Sequence, residues 1–279
     1  MNAADKMIEA ITRWAQREDR ARALILLGSH ARGTGTDRMS DIDLCLFVSD
    51  PAGFTEQQDW LRQFAPVWVS VTEPEGDHDV IKVIYEPGVM IEVGIYALDA
   101  LTSMQTALPF YLESGYAILV DKDKAARALP EASGTYIPPE TPTPDVFHSV
   151  IHSFWFNTFN TARYIWRGEL WRAKVFDWRL KQDLLQVMGW HASLCSGQTN
   201  FTIYEGKHLQ EWADAETVAA LKAAFGHFDP ADSWRALEET VVLFSRLAKE
   251  TARALKVAYP QELEAQFTTL IADLKSNPQ

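Results

Sequence analysis

The fold of the first half of the chain is decided by one stretch, Leu24-Ile25-Leu26-Leu27-Gly28-Ser29-His30-Ala31-Arg32-Gly33-Thr34-Gly35-Thr36-Asp37-Arg38-Met39-Ser40-Asp41-Ile42-Asp43-Leu44-Cys45-Leu46-Phe47-Val48. An apolar strand ends at a Gly28-Ser29 turn, and a second strand opens after a spacer with Asp41 and Asp43. Because side chains alternate along a strand, we expect both carboxylates on one face and the apolar residues on the other. Neighbouring carboxylates repel unless a cation lies between them, and hard oxygen ligands suit magnesium held together with phosphates. The stretch therefore predicts a magnesium and phosphate site.

Composition and charge limit the classes of partner. The chain has 279 residues, enough for two domains with separate cores, and its 47% apolar share is typical of a soluble globular protein. The 38 acidic and 26 basic side chains give a formal net charge of −12, which disfavours a nucleic-acid partner and favours a polycationic small molecule. No apolar stretch is long enough to span a bilayer, so we expect no membrane partner. The two separated cysteines, Cys45 and Cys195, predict a cytoplasmic setting.

The chain changes character at the segment 133–144, which contains four prolines. Before it, a helical pattern over 4–17 is followed by strands over 23–27, 67–71, 79–85 and 89–96, with a short helix capped by Thr55 and ending at Phe64. The last two strands are joined by Glu86-Pro87-Gly88, which predicts an antiparallel hairpin. After the prolines, helical patterns cover 145–166, 169–195, 215–225, 233–257 and 261–275. We predict an α/β domain with a small mixed sheet at 1–135, a linker at 136–144 and an all-α helical bundle at 145–279.

The Gly28-Ser29 turn is the predicted nucleotide contact. Glycine lets backbone N–H groups approach a ligand closely, and a helix beginning there favours a triphosphate at its N-terminus. A Walker P-loop is excluded because Thr34 stands where that motif has lysine. Arg32 is the candidate for a contact with phosphate oxygens, with an ordinary surface charge as the alternative.

Glu92 is the candidate for a third carboxylate at the metal site. Two-metal phosphoryl chemistry commonly uses such a group, and Glu92 alternates with the apolar Ile91 and Val93. A carboxylate within an apolar strand is costly to bury unless it is paired or bound to metal. The alternative is an outward-facing side chain on an edge strand; the need of Asp41 and Asp43 for a partner favours the metal ligand.

Asp177 and Lys181 lie one turn apart within a predicted helix. An ion pair between them is the simpler interpretation of this spacing. The alternative is a general base, Asp177, beside a lysine that contacts the nucleotide. Spacing alone leaves both interpretations open.

The Gly-Ser, spacer and Asp-x-Asp pattern resembles that of the polymerase β-type nucleotidyltransferases. The resemblance narrows to the bacterial aminoglycoside 6-adenylyltransferases, which modify streptomycin, at Leu46-Phe47-Val48-Ser49-Asp50, Phe54-Thr55, Asp59-Trp60-Leu61, Phe154-Trp155 and Gly206-Lys207-His208. It implies a nucleotidyltransferase domain followed by a helical substrate-binding domain. By the same resemblance Asp41 and Asp43 bind metal, Glu92 stands where the family has Asp, and Asp177 matches the candidate catalytic base. The family's Gly-Ser-Arg is here Gly28-Ser29-His30, with arginine at position 32.

The resemblance implies a magnesium-dependent transfer of AMP from ATP to a hydroxyl of a streptomycin-like aminoglycoside, with two metal ions and release of pyrophosphate. Lincosamide nucleotidyltransferases look similar, so a lincosamide acceptor stays open. A regulatory or antitoxin-type protein of the same fold, acting on a protein partner, is the alternative from another class. Three converging acids favour the enzyme, because a binding module does not need them.

Overall fold

The structure is a computed structural model that describes residues 2–277. The chain divides into two compact units, Met1–Tyr136 and Ile137–Gln279. The elements of the first unit are α1 (Ala3–Arg17), β1 (Ala21–Leu26), α2 (Gly28–Arg32), β2 (Ile42–Val48), α3 (Pro51–Glu56), β3 (Val67–Glu75), β4 (His78–Tyr85), β5 (Val89–Ala97), α4 (Leu98–Thr106), α5 (Phe110–Glu113) and β6 (Ala117–Asp121). Those of the second are α6 (Pro144–Trp166), α7 (Leu170–Leu194), α8 (Leu209–Trp212), α9 (Ala215–Ala224), α10 (Pro230–Leu255) and α11 (Gln261–Ser276). Within 2–277, every helix is too short or too polar to cross a membrane.

One six-stranded sheet organises the first unit, in the order β3-β4-β5-β2-β1-β6. The central pair β2–β5 is parallel and the other pairs are antiparallel. The predicted α/β unit with a small mixed sheet is therefore confirmed. The predicted hairpin of β4 and β5 is also confirmed, with Tyr85 opposite Val89 and Gly88 at a φ of 109° in the turn.

The two faces of the sheet follow from the alternation of side chains. One face carries buried apolar residues of β1, β2, β4 and β5, and packs against Met7, Ile11 and Ala15 of α1. The other face packs Cys45 and Phe47 with apolar residues of α4 and α5. Asp43 alternates with the buried Ile42 and Leu44, so its side chain belongs to this second face.

Two expectations about the first unit are wrong in detail, and three of its elements were not predicted. The strand β2 begins at Ile42, so Asp41 lies just before the strand. The alternation of side chains along β2 therefore does not determine which way the Asp41 side chain faces. The short helix after β2 is capped by Asp50, whose side chain accepts a hydrogen bond from the Gly53 N–H at 3.1 Å, and Thr55 lies inside that helix. The elements α4, α5 and β6 were not predicted. The strand β6 has a continuous apolar run without alternation, and it pairs only with β1 at the sheet edge.

The second unit is a helical bundle, as predicted. Its core joins apolar residues of α6, α7 and α10, and Phe154 stacks on Phe244 with ring centroids 3.5 Å apart. The side chain of Thr143 caps α6, whose first residue is Pro144, and that of Asp229 caps α10, whose first residue is Pro230. Proline at the first helical position has no N–H to lose, which explains why these two helices begin where they do.

Candidate active site

The glycine of the Gly28-Ser29 turn is required by a carboxylate. Gly28 has a φ of 67°, and a Cβ on it would lie 2.0 Å from Oδ2 of Asp43. A backbone hydrogen bond joins the same two segments: the Leu27 N–H donates to the carbonyl of Asp43 at 2.9 Å. The Asp43 carboxylate therefore fills the space that a side chain would occupy at position 28, and the contact of the Gly28-Ser29 backbone with a nucleotide stays a prediction. The five-residue helix α2 begins at this glycine, and Ser29 is its second residue, half-buried.

Asp43 and Glu92 face each other across the central pair of strands. They are Cα partners in the parallel register of β2 and β5, and both side chains are half-buried. Ile91 and Val93 on either side of Glu92 belong to the core on the opposite face, so the two acids share the face that also holds Cys45 and Phe47. The structure thus brings these two predicted residues together. Asp41 is half-buried in the segment just before β2.

The residues present suit magnesium in their chemistry. Asp43 and Glu92 offer hard carboxylate oxygens from adjacent strands about 4.8 Å apart, and Asp41 is two residues from Asp43. Within residues 2–277, no group of three or more His, Cys, Asp or Glu is assembled to hold a metal by itself. Magnesium is ordinarily held by one or two carboxylates together with substrate phosphates and waters, so an incomplete protein cage suits it.

Lys82 was not predicted as part of this site. It is the Cα partner of Glu92 in the β4–β5 hairpin, and it alternates with the core residues Ile81 and Val83. Its ammonium forms an ion pair with Glu73 of β3 at 2.8 Å. A sequence signal existed: the hairpin of three connecting residues places 82 opposite 92, and Lys82 is the one charge within the apolar run 80–85.

Tyr96 packs on the same face of the sheet as the two acids. The ring of Tyr96 lies over Gly94, where a Cβ would be 2.6 Å from the ring, and stacks on Phe47 and His78. Its hydroxyl is 3.1 Å from that of Tyr111. Burial raises the pKa of Cys45 to about 12, so this thiol is inert at neutral pH.

Arg32 is held by neighbours within its own unit. Its guanidinium donates to the hydroxyl of Ser114 at 3.1 Å and lies over the ring of Tyr136, 5.2 Å from the centroid. The position of its stem is further restricted by Gly115, whose Cβ would be 3.2 Å from Cγ of Arg32. A contact between Arg32 and phosphate stays a prediction.

The ion pair between Asp177 and Lys181 is formed. The Lys181 ammonium donates to Oδ1 of Asp177 at 2.7 Å and to the hydroxyl of Thr240 at 2.9 Å, and it lies over the ring of Phe225. Its side chain is 4% exposed and that of Asp177 is 16% exposed. Burial lowers the pKa of Lys181, and the carboxylate of Asp177 opposes this shift. The geometry suits a lysine that positions Asp177 better than one that reaches a nucleotide, and the predicted nucleotide contact stays a prediction.

Asp183 is a second acid of α7 that sequence reasoning missed. Its Oδ2 accepts hydrogen bonds from Ser153 at 3.0 Å and from Asn157 at 3.1 Å, both on α6. Burial raises the pKa of Asp183, and these two neutral donors only partly oppose the shift. No basic side chain within 2–277 forms a salt bridge with it. An available signal was the spacing of Ser153 and Asn157, one turn apart on the face that meets α7.

Known proteins with similar sequences cover nearly all of the chain. The sequence model of the family described as Streptomycin adenylyltransferase matches residues 1–274. Aminoglycoside 6-adenylyltransferase of Bacillus subtilis (strain 168) is 21% identical over 93% of this chain and 94% of its own length. The protein of the same name from Campylobacter jejuni is 22% identical over 93% and 92%. The crystal structure of an aminoglycoside 6-adenyltransferase from Bacillus subtilis is similar at a TM-score of 0.48 and 17% identity, over 99% of this chain and 100% of that one. This chain belongs to the streptomycin adenylyltransferase family and is a nucleotidyltransferase.

Proposed function

We propose that the protein transfers AMP from ATP to a hydroxyl of a streptomycin-like aminoglycoside, releasing pyrophosphate and inactivating the drug. The observation that carries this proposal is the pairing of Asp43 with Glu92 beside the Gly28-Ser29 turn. A half-buried pair of carboxylates costs free energy in a structural role, whereas the chemistry of nucleotide transfer uses it. Membership of the adenylyltransferase family supports the same reaction.

Asp43 and Glu92 would hold magnesium together with the phosphates of ATP, and Asp41 would add a ligand from the segment just before β2. When bound, the metal neutralises the phosphate charge and lowers the pKa of the attacking hydroxyl. The backbone at Gly28 and Ser29, with Arg32, would orient the triphosphate. Most of the acceleration in phosphoryl-type transfer comes from such positioning and from charge stabilisation.

Asp177 would accept the proton of the attacked hydroxyl. A general base must be held in a fixed geometry, and the hydrogen bond from Lys181 restrains the Asp177 carboxylate. The negative charge of the chain suits an acceptor with several ammonium or guanidinium groups, because it raises the local concentration of a cation.

The experiment is an acceptor panel. Purified protein is incubated with ATP and magnesium and with streptomycin, other aminoglycosides or a lincosamide, and mass spectrometry is used to find the mass of one added AMP. We expect addition to streptomycin by the wild type, and a strongly reduced kcat with unchanged ATP binding in Asp177→Asn. Addition to the lincosamide alone would reject the proposed acceptor, and addition to none would reject the proposed reaction.

A further inference from the structure

A row of charged side chains crosses three strands at the candidate site. Asp43 of β2 is the register partner of Glu92 of β5, and Glu92 is the register partner of Lys82 of β4. All three alternate with buried core residues of the opposite face, so their side chains project on the same side of the sheet. Directly opposed residues have Cβ atoms about 5 Å apart, so each member of the row acts electrostatically on the next.

The order of charges in the row is acid, acid, base. Two carboxylates on neighbouring strands destabilise each other when both are ionised. Lys82 lies on the far side of Glu92 from Asp43, where its positive charge offsets this repulsion without separating the two acids. Its side chain is 30% exposed, so solvent weakens this effect but does not remove it.

The ammonium of Lys82 forms an ion pair with Glu73. The Lys82 ammonium is 2.8 Å from Oε2 of Glu73, on the strand beyond β4. Lys82 therefore has an acid on the strand to either side of it, Glu73 of β3 and Glu92 of β5. The row therefore carries a positive charge on the β4 side of Glu92, whereas Asp43 lies on its β2 side.

We propose that Lys82 is a positioning residue that balances the charge of Glu92 before the nucleotide arrives, and so weakens the binding of free divalent cations to this site. The inference rests on the proposed role of Asp43 and Glu92 as metal ligands. Its consequence is that metal is retained only together with a nucleotide, whose phosphates add negative charge and further oxygen ligands.

The test is the binding of Mn²⁺ without nucleotide, followed by electron paramagnetic resonance in the full-length protein. In Lys82→Met we expect Mn²⁺ to bind about tenfold more tightly, the effect of one unit charge at ~6 Å in a half-exposed site. Lys82→Arg, which keeps the charge, should bind Mn²⁺ as the wild type does. Lys6→Met, which removes an exposed lysine of α1, is the matched control and should also leave binding unchanged.

A purely structural lysine would not give this pattern, because its loss would weaken the site or leave it unchanged. The gain should require Glu92, so Lys82→Met combined with Glu92→Gln should lose it; this double variant also removes the repulsion that destabilises Lys82→Met. Melting curves with and without Mg²⁺ give a second readout, and Mg²⁺ should raise the Tm of Lys82→Met more than that of the wild type. If the wild type binds Mn²⁺ and Lys82→Met binds it no more tightly, the inference fails and the proposed function stands. If neither binds Mn²⁺ without nucleotide, the inference fails, and the proposed AMP transfer is judged separately by the acceptor panel.

Discussion

At the scale of single residues, the candidate site contains a close approach between Gly28 and the carboxylate of Asp43. The positive φ of Gly28 disfavours other residues there, and the Asp43 carboxylate lies where a Cβ would be. Gly33, five residues on, has the same φ of 67° but no heavy atom within 4 Å of its ideal Cβ position. Gly28 and Gly33 therefore have the same φ, but of these two only Gly28 approaches the Asp43 carboxylate.

We predict that Gly28→Ala removes AMP transfer while Gly33→Ala keeps it. Each substitution should lower the free energy of unfolding by about 1–2 kcal/mol, because an L-residue is strained in the left-handed region. In Gly28→Ala the Asp43 carboxylate must also rotate away, so transfer should fall on the order of a hundredfold. Chemical denaturation and transfer assays of both variants measure the two effects, and equal activities would show that the Gly28–Asp43 contact has no role in the reaction.

The residues of the site differed in how far the sequence could predict them. The alternation of apolar and acidic side chains placed Asp43 and Glu92 on the correct face, because that face is fixed by the burial of their neighbours. Asp41 was wrongly placed inside β2. The residue at which a strand begins is decided by hydrogen bonds to the neighbouring strands, and the alternation of side chains does not show these bonds. Lys82 was missed because its relation to Glu92 depends on hairpin register, which a single strand does not show.

At the scale of elements, α6 and α7 meet around the Asp183 carboxylate, whose hydrogen-bond donors within residues 2–277 are neutral. Asp183 accepts from Ser153 and Asn157, and burial raises its pKa above the usual range. Because the folded state binds the proton more tightly than the unfolded state, the stability from this group is present below the unfolded pKa. It is lost as pH rises through the folded pKa. Burial of the charged form of Asp183 therefore costs stability in the helical unit, and this cost grows as pH rises.

We predict that Asp183→Asn stabilises the protein at pH 7, by on the order of 1 kcal/mol. The amide oxygen still accepts the hydrogen bonds from α6, whereas the cost of burying a charge disappears. The gain should shrink as pH falls towards 4, because the wild-type carboxyl then becomes protonated. Denaturant titrations of both proteins between pH 4 and 7 measure this, and a variant less stable than the wild type at pH 7 would contradict the account.

The elements themselves were predicted with uneven success for physical reasons. The five long helices of the second unit are strongly periodic, and each begins or ends within a few residues of its predicted bound. The helices α4 and α5, which pack on one face of the sheet, and the edge strand β6 were missed, since short elements are specified more by packing than by periodicity. The cap of α3 was misassigned to Thr55 although Asp50 directly precedes the helix-starting Pro51.

At the scale of the whole molecule, each unit has its own hydrophobic core. The core of the helical unit is built from residues between Phe147 and Ile271, and the two cores of the first unit lie on opposite faces of its sheet. We predict that fragments 1–136 and 137–279 each fold when expressed alone, because burial within each unit is sufficient. Circular dichroism and thermal melting should show cooperative unfolding of both.

A fragment ending at residue 106 is the control for this prediction. It lacks α5 and β6. Without β6 the edge of β1 is exposed, so this fragment should not melt cooperatively. A disordered 1–136 or 137–279 fragment would show that the two units do not fold independently.

We propose that the protein transfers AMP from ATP to an aminoglycoside with the help of the Asp43–Glu92 pair beside Gly28. The most direct measurement is the rate at which labelled AMP passes from ATP to streptomycin in the wild type and in Asp43→Asn, with melting curves to show that both are folded. We predict transfer by the wild type that depends on streptomycin and a rate lower by a hundredfold or more in Asp43→Asn, because one ligand and one negative charge are lost together. A folded Asp43→Asn protein that transfers AMP at the wild-type rate would contradict the account.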